Sequence, residues 1–453
     1  MDCFRNIESL DDDASLTHYG RDWTRFWPAQ PSVILFPKNT SEVAEIVAVS
    51  RQKSLKLVPS GGRTGLSGGA VAANGEVVVS LDKMRQIVEL DEADPSLTAQ
   101  AGLTVGELQR SAAAAGLLYP VDWAAADSSQ IGGSVATNAG GIRVLRYGMT
   151  RNWVRGLTVV TGTGDIVTTG RGLVKNNTGP DLTQLFIGSE GTLGIITEVT
   201  MGLTVPPPAQ SVLLVGFSGL EAVMPVFSRF RSGLKLSAFE FFDRRSVAHV
   251  SVATGREFPL ESDCPYYAVI EFDDPDHACQ DAALALFEQL MEAGHLLDGT
   301  LSQSLAQAAD LWRWREAISE SISPHVPYKN DLSVRVSKLP DFLEALNGLV
   351  EAHYPHFEVV WFGHLGDGNL HMNVLKPENS EIVDFHAEVK GLSARVFELL
   401  QRFDGSVSAE HGVGLLKRDD LHYSRSPAEL ALLRQVKAIF DPDNIMNPGK
   451  VLA

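Results

Sequence analysis

Cysteine is scarce in this sequence of 453 residues, and its scarcity excludes two kinds of redox site. Cys3, Cys264 and Cys279 are odd in number and lie far apart along the chain. They can therefore form neither a disulfide framework nor a Cys-x-x-Cys cluster for an iron–sulfur centre or structural zinc. Any redox chemistry must come from a bound organic cofactor.

Positive charge and long apolar runs are also lacking. The formal net charge is -18 at pH 7, so nucleic acids and anionic membranes would be repelled as general partners. No apolar stretch reaches about 18 residues, and the N-terminus does not resemble a signal peptide. We expect no integral membrane segment and a cytoplasmic location, or the mitochondrial matrix if the source is eukaryotic, although no transit peptide is seen. The length exceeds that of one hydrophobic core and predicts two or three domains.

The common nucleotide-binding fingerprints are missing as well. Each of the four Gly-x-Gly pairs lacks the third glycine of Gly-x-Gly-x-x-Gly, and no Gly-x-x-x-x-Gly-Lys-Ser/Thr occurs. These absences argue against a Rossmann domain and against a P-loop domain.

Glycine and other small residues are instead concentrated in three segments, at 59–69, 132–141 and 188–196. The first follows a helix predicted at 41–53 and a strand predicted at 55–58, and its glycines permit the positive φ angles of a diphosphate-binding loop. Three such segments indicate backbone packed against a large flat group or against other backbone. We expect a long dinucleotide between two subdomains. A glycine-rich surface loop is the alternative for the first segment.

Two histidines, His364 and His371, flank the turn-forming pair Asp367-Gly368. A two-residue hairpin turn at that pair would place the histidines directly opposite each other, with Cβ atoms about 5 Å apart. With Glu410 they form a candidate metal site of two imidazoles and one carboxylate. Such a set fits zinc and also non-haem iron, and a pair of surface histidines is the remaining interpretation.

The sequence motifs together carry a family resemblance. The three glycine segments, with 177–182 before the third, resemble the FAD-binding domain of the vanillyl-alcohol oxidase/p-cresol methylhydroxylase superfamily. The motifs at 363–371, 410–414 and 447–450 narrow the resemblance to the FAD-linked D-2-hydroxyacid dehydrogenases, and among these to the D-2-hydroxyglutarate dehydrogenase group. The resemblance covers almost the whole chain.

The resemblance implies an α+β fold. We expect a two-subdomain FAD-binding domain of the p-cresol methylhydroxylase type at 1–207 and an α+β substrate-binding cap domain with the metal hairpin at 208–410. A C-terminal segment, 411–453, should return to the FAD domain. The first glycine loop holds Arg63 and Thr64 and no histidine, so FAD is expected to bind noncovalently.

The resemblance also assigns residues to sites. The expected FAD-binding residues are Pro59, Gly61, Gly62, Arg63, Thr64, Gly65, Leu66, Gly69, Gly132, Gly133, Thr137, Asn138, Gly140, Gly141, Gly148, Glu190, Gly191, Gly194, Ile195, Ile196 and Asn447. The expected substrate-binding residues are Arg315, Ser319, Lys329, Asn373 and His411. His364, His371 and Glu410 are the expected metal ligands, and His411 is the expected catalytic base.

Oxidation of a 2-hydroxy acid requires a hydride to leave C2, here for flavin N5, while a base removes the hydroxyl proton. A divalent ion would polarise the hydroxyl oxygen, and zinc is preferred over iron because the flavin already takes the electrons. Arg315 and Ser319 are four residues apart and should share one helical face. Arg315 with Lys329 is one cation more than a monocarboxylate needs, which favours D-2-hydroxyglutarate, or D-malate, as substrate.

Several alternatives stay open at this point. The family also contains FAD-type D-lactate dehydrogenases and the flavin subunit of glycolate oxidase, and serine at 319 replaces the family's threonine. An oxidase that makes peroxide and a non-catalytic flavin- or metal-binding protein are further interpretations. Without iron–sulfur cysteines, electrons must leave to a separate acceptor such as electron-transfer flavoprotein, a quinone or a cytochrome. A homodimer is left open.

Overall fold

The computed structural model describes residues 2–24 and 26–452. The strands are β1 (Glu8–Leu10), β2 (Val33–Phe36), β3 (Leu57–Ser60), β4 (Val77–Ser80), β5 (Ile87–Asp91), β6 (Ser96–Gln100), β7 (Val154–Thr161), β8 (Ile166–Thr169), β9 (Gly194–Gly202), β10 (Gln210–Phe217), β11 (Leu236–Asp243), β12 (Tyr266–Asp273), β13 (Leu296–Leu301), β14 (Tyr328–Ser333), β15 (Glu358–His364) and β16 (Asn369–Leu375). The α-helices are α1 (Asp13–Tyr19), α2 (Thr40–Gln52), α3 (Val105–Ala114), α4 (Ile131–Thr137), α5 (Val144–Tyr147), α6 (Thr183–Phe186), α7 (Val223–Gly233), α8 (Arg244–Thr254), α9 (Gln280–Glu292), α10 (Leu305–Glu316), α11 (Ile318–Ser321), α12 (Leu339–His353), α13 (Ile382–Arg402) and α14 (Pro427–Phe440).

The chain divides into two compact units. Unit 1 consists of 1–141, 148–206 and 410–453, and unit 2 consists of 142–147 and 207–409. The sequence placed 142–147 in the first domain, whereas the structure assigns it to unit 2. The physical reason is charge pairing, because Arg143 donates to the buried Glu271 and Arg146 pairs with the buried Asp273.

Unit 1 contains two sheets. One has the order β1-β2-β4-β3, with parallel pairing of β2, β4 and β3. The other has the order β5-β6-β9-β7-β8 and is antiparallel. All four residues of β2 and all four of β4 are buried, as expected for strands covered on both faces.

The C-terminal segment of unit 1 pairs with the strand that precedes the first glycine loop. Met446 forms a parallel bridge with Leu57, and the Asn447 N–H donates to the Leu57 carbonyl oxygen at 2.8 Å. Ile445 and Met446 are buried in the core of this unit. The tail is therefore fixed beside β3 by backbone hydrogen bonds and by apolar burial.

Unit 2 is built on one antiparallel sheet of seven strands in the order β13-β10-β12-β11-β15-β16-β14. Trp312 and Trp314 of α10 belong to the same buried cluster as Val360 and Phe362 of β15. Every residue of β11 and β16 is buried, although these strands contain polar side chains. The mixture of helices with largely antiparallel sheets confirms the predicted α+β class.

Two further expectations can be compared with the described residues. Among those residues, none of the helices combines the length and the apolar composition needed to span a membrane. Cys3, Cys264 and Cys279 are all unpaired.

Candidate active site

The histidine hairpin has a different register from the predicted one. Strands β15 and β16 pair His364 with Asn369 and Phe362 with His371, so the two histidines are diagonal neighbours and not directly opposite. The cause is a longer turn, which includes a 3₁₀ turn over Leu365–Asp367. Gly368 ends that turn at φ +85, where a Cβ would lie 2.0 Å from the Val334 carbonyl oxygen, so only glycine fits.

His364 and His371 nevertheless lie together on one face of the sheet, with ring centroids 5.3 Å apart. Each Nδ1 faces a buried carboxylate. His364 Nδ1 is 2.8 Å from Glu240 Oε1, and His371 Nδ1 is 3.7 Å from Asp331 Oδ1. Surface exposure is therefore excluded for both histidines, which are less than a tenth exposed.

Strand β14 pairs with β16 and adds polar side chains beside His371, which together form a polar row on one face of the sheet. Asp331 is the register partner of His371, and Lys329 is the register partner of Asn373. Residues two apart on a strand share a face, so these four side chains lie side by side on one face of the sheet. Regular strand geometry alone brings them together.

Carboxylate and imidazole donors occur in two pairs. Asp331 and His371 each offer a ligand atom, and the two atoms lie within 4.8 Å of each other. Glu410 and His411 likewise offer ligand atoms within 4.8 Å of each other. They follow Ala409 in the chain, and the Ala409 N–H donates to Asp331 Oδ2 at 3.0 Å.

The predicted helical face of Arg315 and Ser319 is not found. Helix α10 ends at Glu316, and Arg315 is buried whereas Ser319 is exposed. Arg315 Nη2 lies 2.9 Å from Glu240 Oε2, and its guanidinium lies 4.7 Å from the centroid of the Phe362 ring. The arginine is thus part of the buried face and not a solvated surface residue.

Lys329 and Asn373 on this face each carry a polar group without a side-chain partner among the described residues. Lys329 is half-buried, its ammonium group has no hydrogen bond or ion pair with those residues, and burial lowers the pKa of that group. Asn373 is buried; its Nδ2 donates to the Val360 and His371 carbonyl oxygens, but its Oδ1 accepts no hydrogen bond from those residues. Unsatisfied buried polar atoms are expected where a polar ligand binds.

Glu240 and Asp331 are the site residues that the sequence reasoning missed. Glu240 is a lone charge within Ala238-Phe239-Glu240-Phe241-Phe242, and burying an acid in such a run requires a partner. Asp331 lies two residues beyond Lys329 and therefore on the same strand face. Both signals were present in the sequence.

The three glycine segments of unit 1 converge. A Cβ on Gly62 would lie 1.9 Å from the Ser128 carbonyl oxygen, and Thr64 Oγ1 is 2.9 Å from Ser129 Oγ. The first loop therefore packs against Ser128 and Ser129, which precede α4 in the chain. A Cβ on Gly191 would lie 2.9 Å from the Pro59 ring, which brings the third segment to the start of the first.

Several glycines are required by close contact with the protein itself. A Cβ added to Gly132 would lie 2.6 Å from the Ala101 side chain. One added to Gly141 would lie 1.9 Å from the Asp122 carbonyl oxygen, and one added to Gly194 would lie 2.6 Å from the Val160 carbonyl oxygen. Gly133 differs, because a Cβ there meets no described atom within 4 Å. Packing against other parts of the protein therefore explains several of these small residues, whereas the open side of Gly133 leaves space beside α4.

Arg63 occupies a left-handed conformation in the first loop, at φ +58. Its Nη1 donates to the Gly61 carbonyl oxygen, and its guanidinium lies 4.4 Å from the centroid of the Tyr19 ring. Gly65 is exposed, Leu66 is half-buried, and Gly69 lies near Glu190, where a Cβ would be 3.3 Å from Oε2. The loop is thus shaped by its own backbone and by neighbouring side chains.

Glu190 and Asn447 join the segments of unit 1. Glu190 is buried and accepts hydrogen bonds from the Val413 and Gly414 N–H groups at 2.6 and 2.8 Å. Burial raises the pKa of the Glu190 carboxyl to about 7. Asn447 Nδ2 donates to the Gly69 and Glu190 carbonyl oxygens. These contacts give both residues a structural role among the glycine segments.

The other predicted cofactor residues lie in and after α4, or in β9. Asn138 ends α4 in a left-handed conformation and accepts from the Arg151 N–H, and Thr137 Oγ1 donates to the Gly133 carbonyl oxygen. Gly140 is buried, and Gly148 has a φ of +72. Ile195 and Ile196 belong to the buried core of unit 1.

Comparison with known proteins identifies the class. Residues 206–451 match the family described as FAD linked oxidases, C-terminal domain, and residues 31–170 match the FAD binding domain. The D-2-hydroxyglutarate dehydrogenase of Stutzerimonas stutzeri is 52% identical over 98% of this chain and 96% of its own. The protein of that name from Xanthomonas citri is 50% identical over 97% of this chain and 93% of its own. The mitochondrial one from Bos taurus is 39% identical over 95% of this chain and 78% of its own.

The chain belongs to the FAD-linked oxidase family. The relatives named D-2-hydroxyglutarate dehydrogenase, at 50–52% identity, confirm the family resemblance that its motifs predicted. Solved structures agree on the fold: an alkyldihydroxyacetonephosphate synthase has a TM-score of 0.71 at 17% identity, covering 97% of this chain and 83% of its own. A 4-ethylphenol oxidase from Gulosibacter chungangensis has a TM-score of 0.73 at 16% identity, covering 98% and 94%.

Proposed function

We propose that this enzyme oxidises D-2-hydroxyglutarate to 2-oxoglutarate, with D-malate as a second substrate, using noncovalently bound FAD. The observation that carries the proposal is the polar row of Lys329, Asn373, His371 and Asp331 on one face of the unit 2 sheet. A half-buried cation and an unsatisfied amide beside two histidines suit an anionic substrate with a hydroxyl group. The names of the relatives that share about half of its residues support the choice of acid.

A divalent ion, zinc first, completes the proposed site. Its ligands would be Nε2 of His364, Nε2 of His371 and the carboxylate of Glu410, since each Nδ1 already faces an acid. When bound, the ion would polarise the 2-hydroxyl group and help to orient the neighbouring carboxylate. The support is the donor chemistry of these residues and the fixed geometry of the two strands.

Lys329 and Arg315 are the proposed cations for the two carboxylates of the substrate. Lys329 would bind one carboxylate directly, because burial without a partner is costly for an ammonium group. Asn373 would contribute its amide beside it. Because Arg315 keeps Glu240 as a partner, a monocarboxylate bound at Arg315 would leave Lys329 unpaired at a cost of about 2–5 kcal/mol, which corresponds to at least about 30-fold discrimination. Ser319 is exposed and is left out of the proposed contacts.

His411 is the proposed base that removes the hydroxyl proton. An imidazole titrates near neutral pH, so it can accept a proton at the working pH of most enzymes. FAD, when bound, takes the hydride from C2, so the substrate loses two electrons and two protons in all. We further propose electron-transfer flavoprotein as the acceptor, with a quinone or a cytochrome as alternatives. Sustained peroxide production in air at the turnover rate would contradict this.

The test is an anaerobic titration of the purified flavoprotein with D-2-hydroxyglutarate, D-malate, D-lactate and glycolate. We expect the first two to bleach the flavin band at about 450 nm, and a chelator to abolish bleaching until zinc is restored. Bleaching by D-lactate alone would favour a second function, D-lactate oxidation, which one relative suggests. That relative is a Schizosaccharomyces pombe protein named as a putative D-lactate dehydrogenase, 37% identical over 98% of this chain and 86% of its own.

A further inference from the structure

Glu240 is a buried acid that neither the proposed chemistry nor the fold explains. It lies in the middle of β11, a strand whose eight residues are all buried, and is only 1% exposed. Removing a carboxylate from water costs several kcal/mol unless good partners replace the water. An acid is therefore kept at this position by specific contacts.

Its two oxygens contact two different functional side chains. Oε1 lies 2.8 Å from His364 Nδ1, and Oε2 lies 2.9 Å from Arg315 Nη2. The three residues come from β11, β15 and α10, and Glu240 is the register partner of His364. One carboxylate thus bridges a proposed metal ligand and a buried arginine.

In this bridge each side chain restricts the next: the guanidinium restricts the carboxylate, and the carboxylate restricts the imidazole. A carboxylate that accepts from Nδ1–H fixes the imidazole as the tautomer whose Nε2 can bind a metal, and it strengthens that ligand. A guanidinium beside the same carboxylate offsets its charge and restricts its position. Arg315 in turn is held against the Phe362 ring.

We infer that Glu240 is a positioning residue: Arg315 fixes Glu240, and Glu240 fixes His364 for metal binding. The inference rests on the proposed metal site and goes beyond it, because it assigns Arg315 a role in metal affinity as well as in substrate binding. It predicts that an arginine that is not a metal ligand affects how tightly the metal binds.

The chain offers a matched control one strand away. Glu271 on β12 is also a buried glutamate, with Oε1 2.9 Å from Arg143 Nε and Oε2 3.1 Å from Trp312 Nε1. Val269, two residues before it, is the register partner of Glu240, so the two acids share a sheet face. Glu271→Gln therefore removes the same charge from the same face without touching His364.

The experiment measures zinc affinity by competition with a chromophoric chelator, using the FAD-loaded enzyme. Glu240→Gln should weaken zinc binding by at least tenfold, in the range found when partners behind metal-binding histidines are removed. Glu271→Gln should stay within twofold of the wild type. Equal zinc affinity in Glu240→Gln and the wild type would overturn the inference.

Arg315→Met separates positioning from simple charge. Loss of a nearby positive charge should by itself strengthen the binding of a cation. Positioning predicts the opposite, a loss of about threefold or more, because the Glu240 carboxylate is no longer fixed against His364. Stronger or unchanged zinc binding in Arg315→Met would exclude Arg315 from this role.

Two further arms keep the outcomes distinct. Glu240→Asp keeps the charge but is one methylene too short to reach both partners, so it should show the same loss of zinc if Glu240→Gln fails to fold. A wild-type enzyme that binds no zinc would overturn the proposed metal role together with this inference. A wild type that binds zinc, with the Glu240 variants unchanged, would overturn the inference alone.

Discussion

The two units build their functional surfaces from different parts of the chain. In unit 1 the three glycine segments are shaped by backbone, and Gly62, Gly141 and Gly191 are needed because a Cβ would collide with neighbouring atoms. In unit 2 the surface is shaped by side chains on regular strands, such as His371 beside Asp331 and Asn373 beside Lys329. Substitutions in unit 1 should therefore act through folding and cofactor binding, and those in unit 2 through chemistry.

The largest expected effect is on chemistry, in unit 2. His371→Ala removes a proposed metal ligand and should lower the rate of anaerobic flavin reduction by about 10³-fold, since metal polarisation contributes several kcal/mol to the barrier. FAD content and melting temperature should stay close to the wild type. Stopped-flow reduction, zinc analysis and the flavin spectrum check this. A zinc-free variant with full activity would remove the metal from the mechanism.

The next effect is on folding and cofactor binding, in unit 1. Gly62→Ala places a Cβ 1.9 Å from the Ser128 carbonyl oxygen. The resulting strain should destabilise the protein by about 3 kcal/mol and lower its FAD content. Denaturation and the ratio of flavin to protein absorbance check both results.

Gly133→Ala is the control for this glycine. Its Cβ meets no described atom, and alanine favours the helix by up to about 1 kcal/mol, so the apoprotein should be at least as stable as the wild type. FAD should bind more weakly because the methyl group enters the space assigned to it. Unchanged FAD affinity would show that the cofactor does not lie against this part of α4.

A smaller effect is the pH dependence of the free energy of unfolding, to which a buried acid in each unit contributes over a different pH range. The raised pKa of Glu190, about 7, means that the folded state holds a proton that the unfolded state releases near its usual pKa. Stability from this group is fully present below that unfolded value and is lost as the pH rises to about 7, a loss of about 3 kcal/mol. Guanidinium unfolding from pH 5 to pH 8 should show this slope in the wild type and not in Glu190→Gln.

Asp243 provides the comparison in unit 2. Its pKa is raised to about 6 by burial, and it accepts from the Ser246 N–H at the start of α8. Its contribution should therefore be lost over a lower pH range than that of Glu190. Parallel curves for the wild type, Glu190→Gln and Asp243→Asn would contradict both assignments.

The sequence predicted unit 1 better than it predicted the details of unit 2. Glycine clusters are local signals, because a loop that requires positive φ or close approach excludes most other residues. The family and the fold class followed from such motifs, and helix α2 followed from the charge and apolar pattern of 41–53. The assignment of 142–147 to unit 2 could not be predicted from local signals, because it depends on ion pairs with Glu271 and Asp273, more than 120 residues later in the chain.

The unit 2 site depended on register, which the sequence left undetermined. The Asp-Gly pair favoured a two-residue turn, but the turn includes Leu365 and Gly366 as well. A change of register moves the partner of every residue on the strand, so His371 faces Phe362 and not His364. Glu240 was missed because a strand of mostly apolar residues is interpreted as hydrophobic core even when one of its residues is charged.

The smallest effect concerns substrate choice. Lys329→Met removes the half-buried ammonium group and should lower the preference for D-2-hydroxyglutarate over D-lactate by about 30-fold, mainly through KM, because the second carboxylate loses its cation. Lys390→Met, on an exposed part of α13, is the matched control and should leave the ratio unchanged. An equal loss for both acids in Lys329→Met would assign the lysine to the carboxylate that the two substrates share.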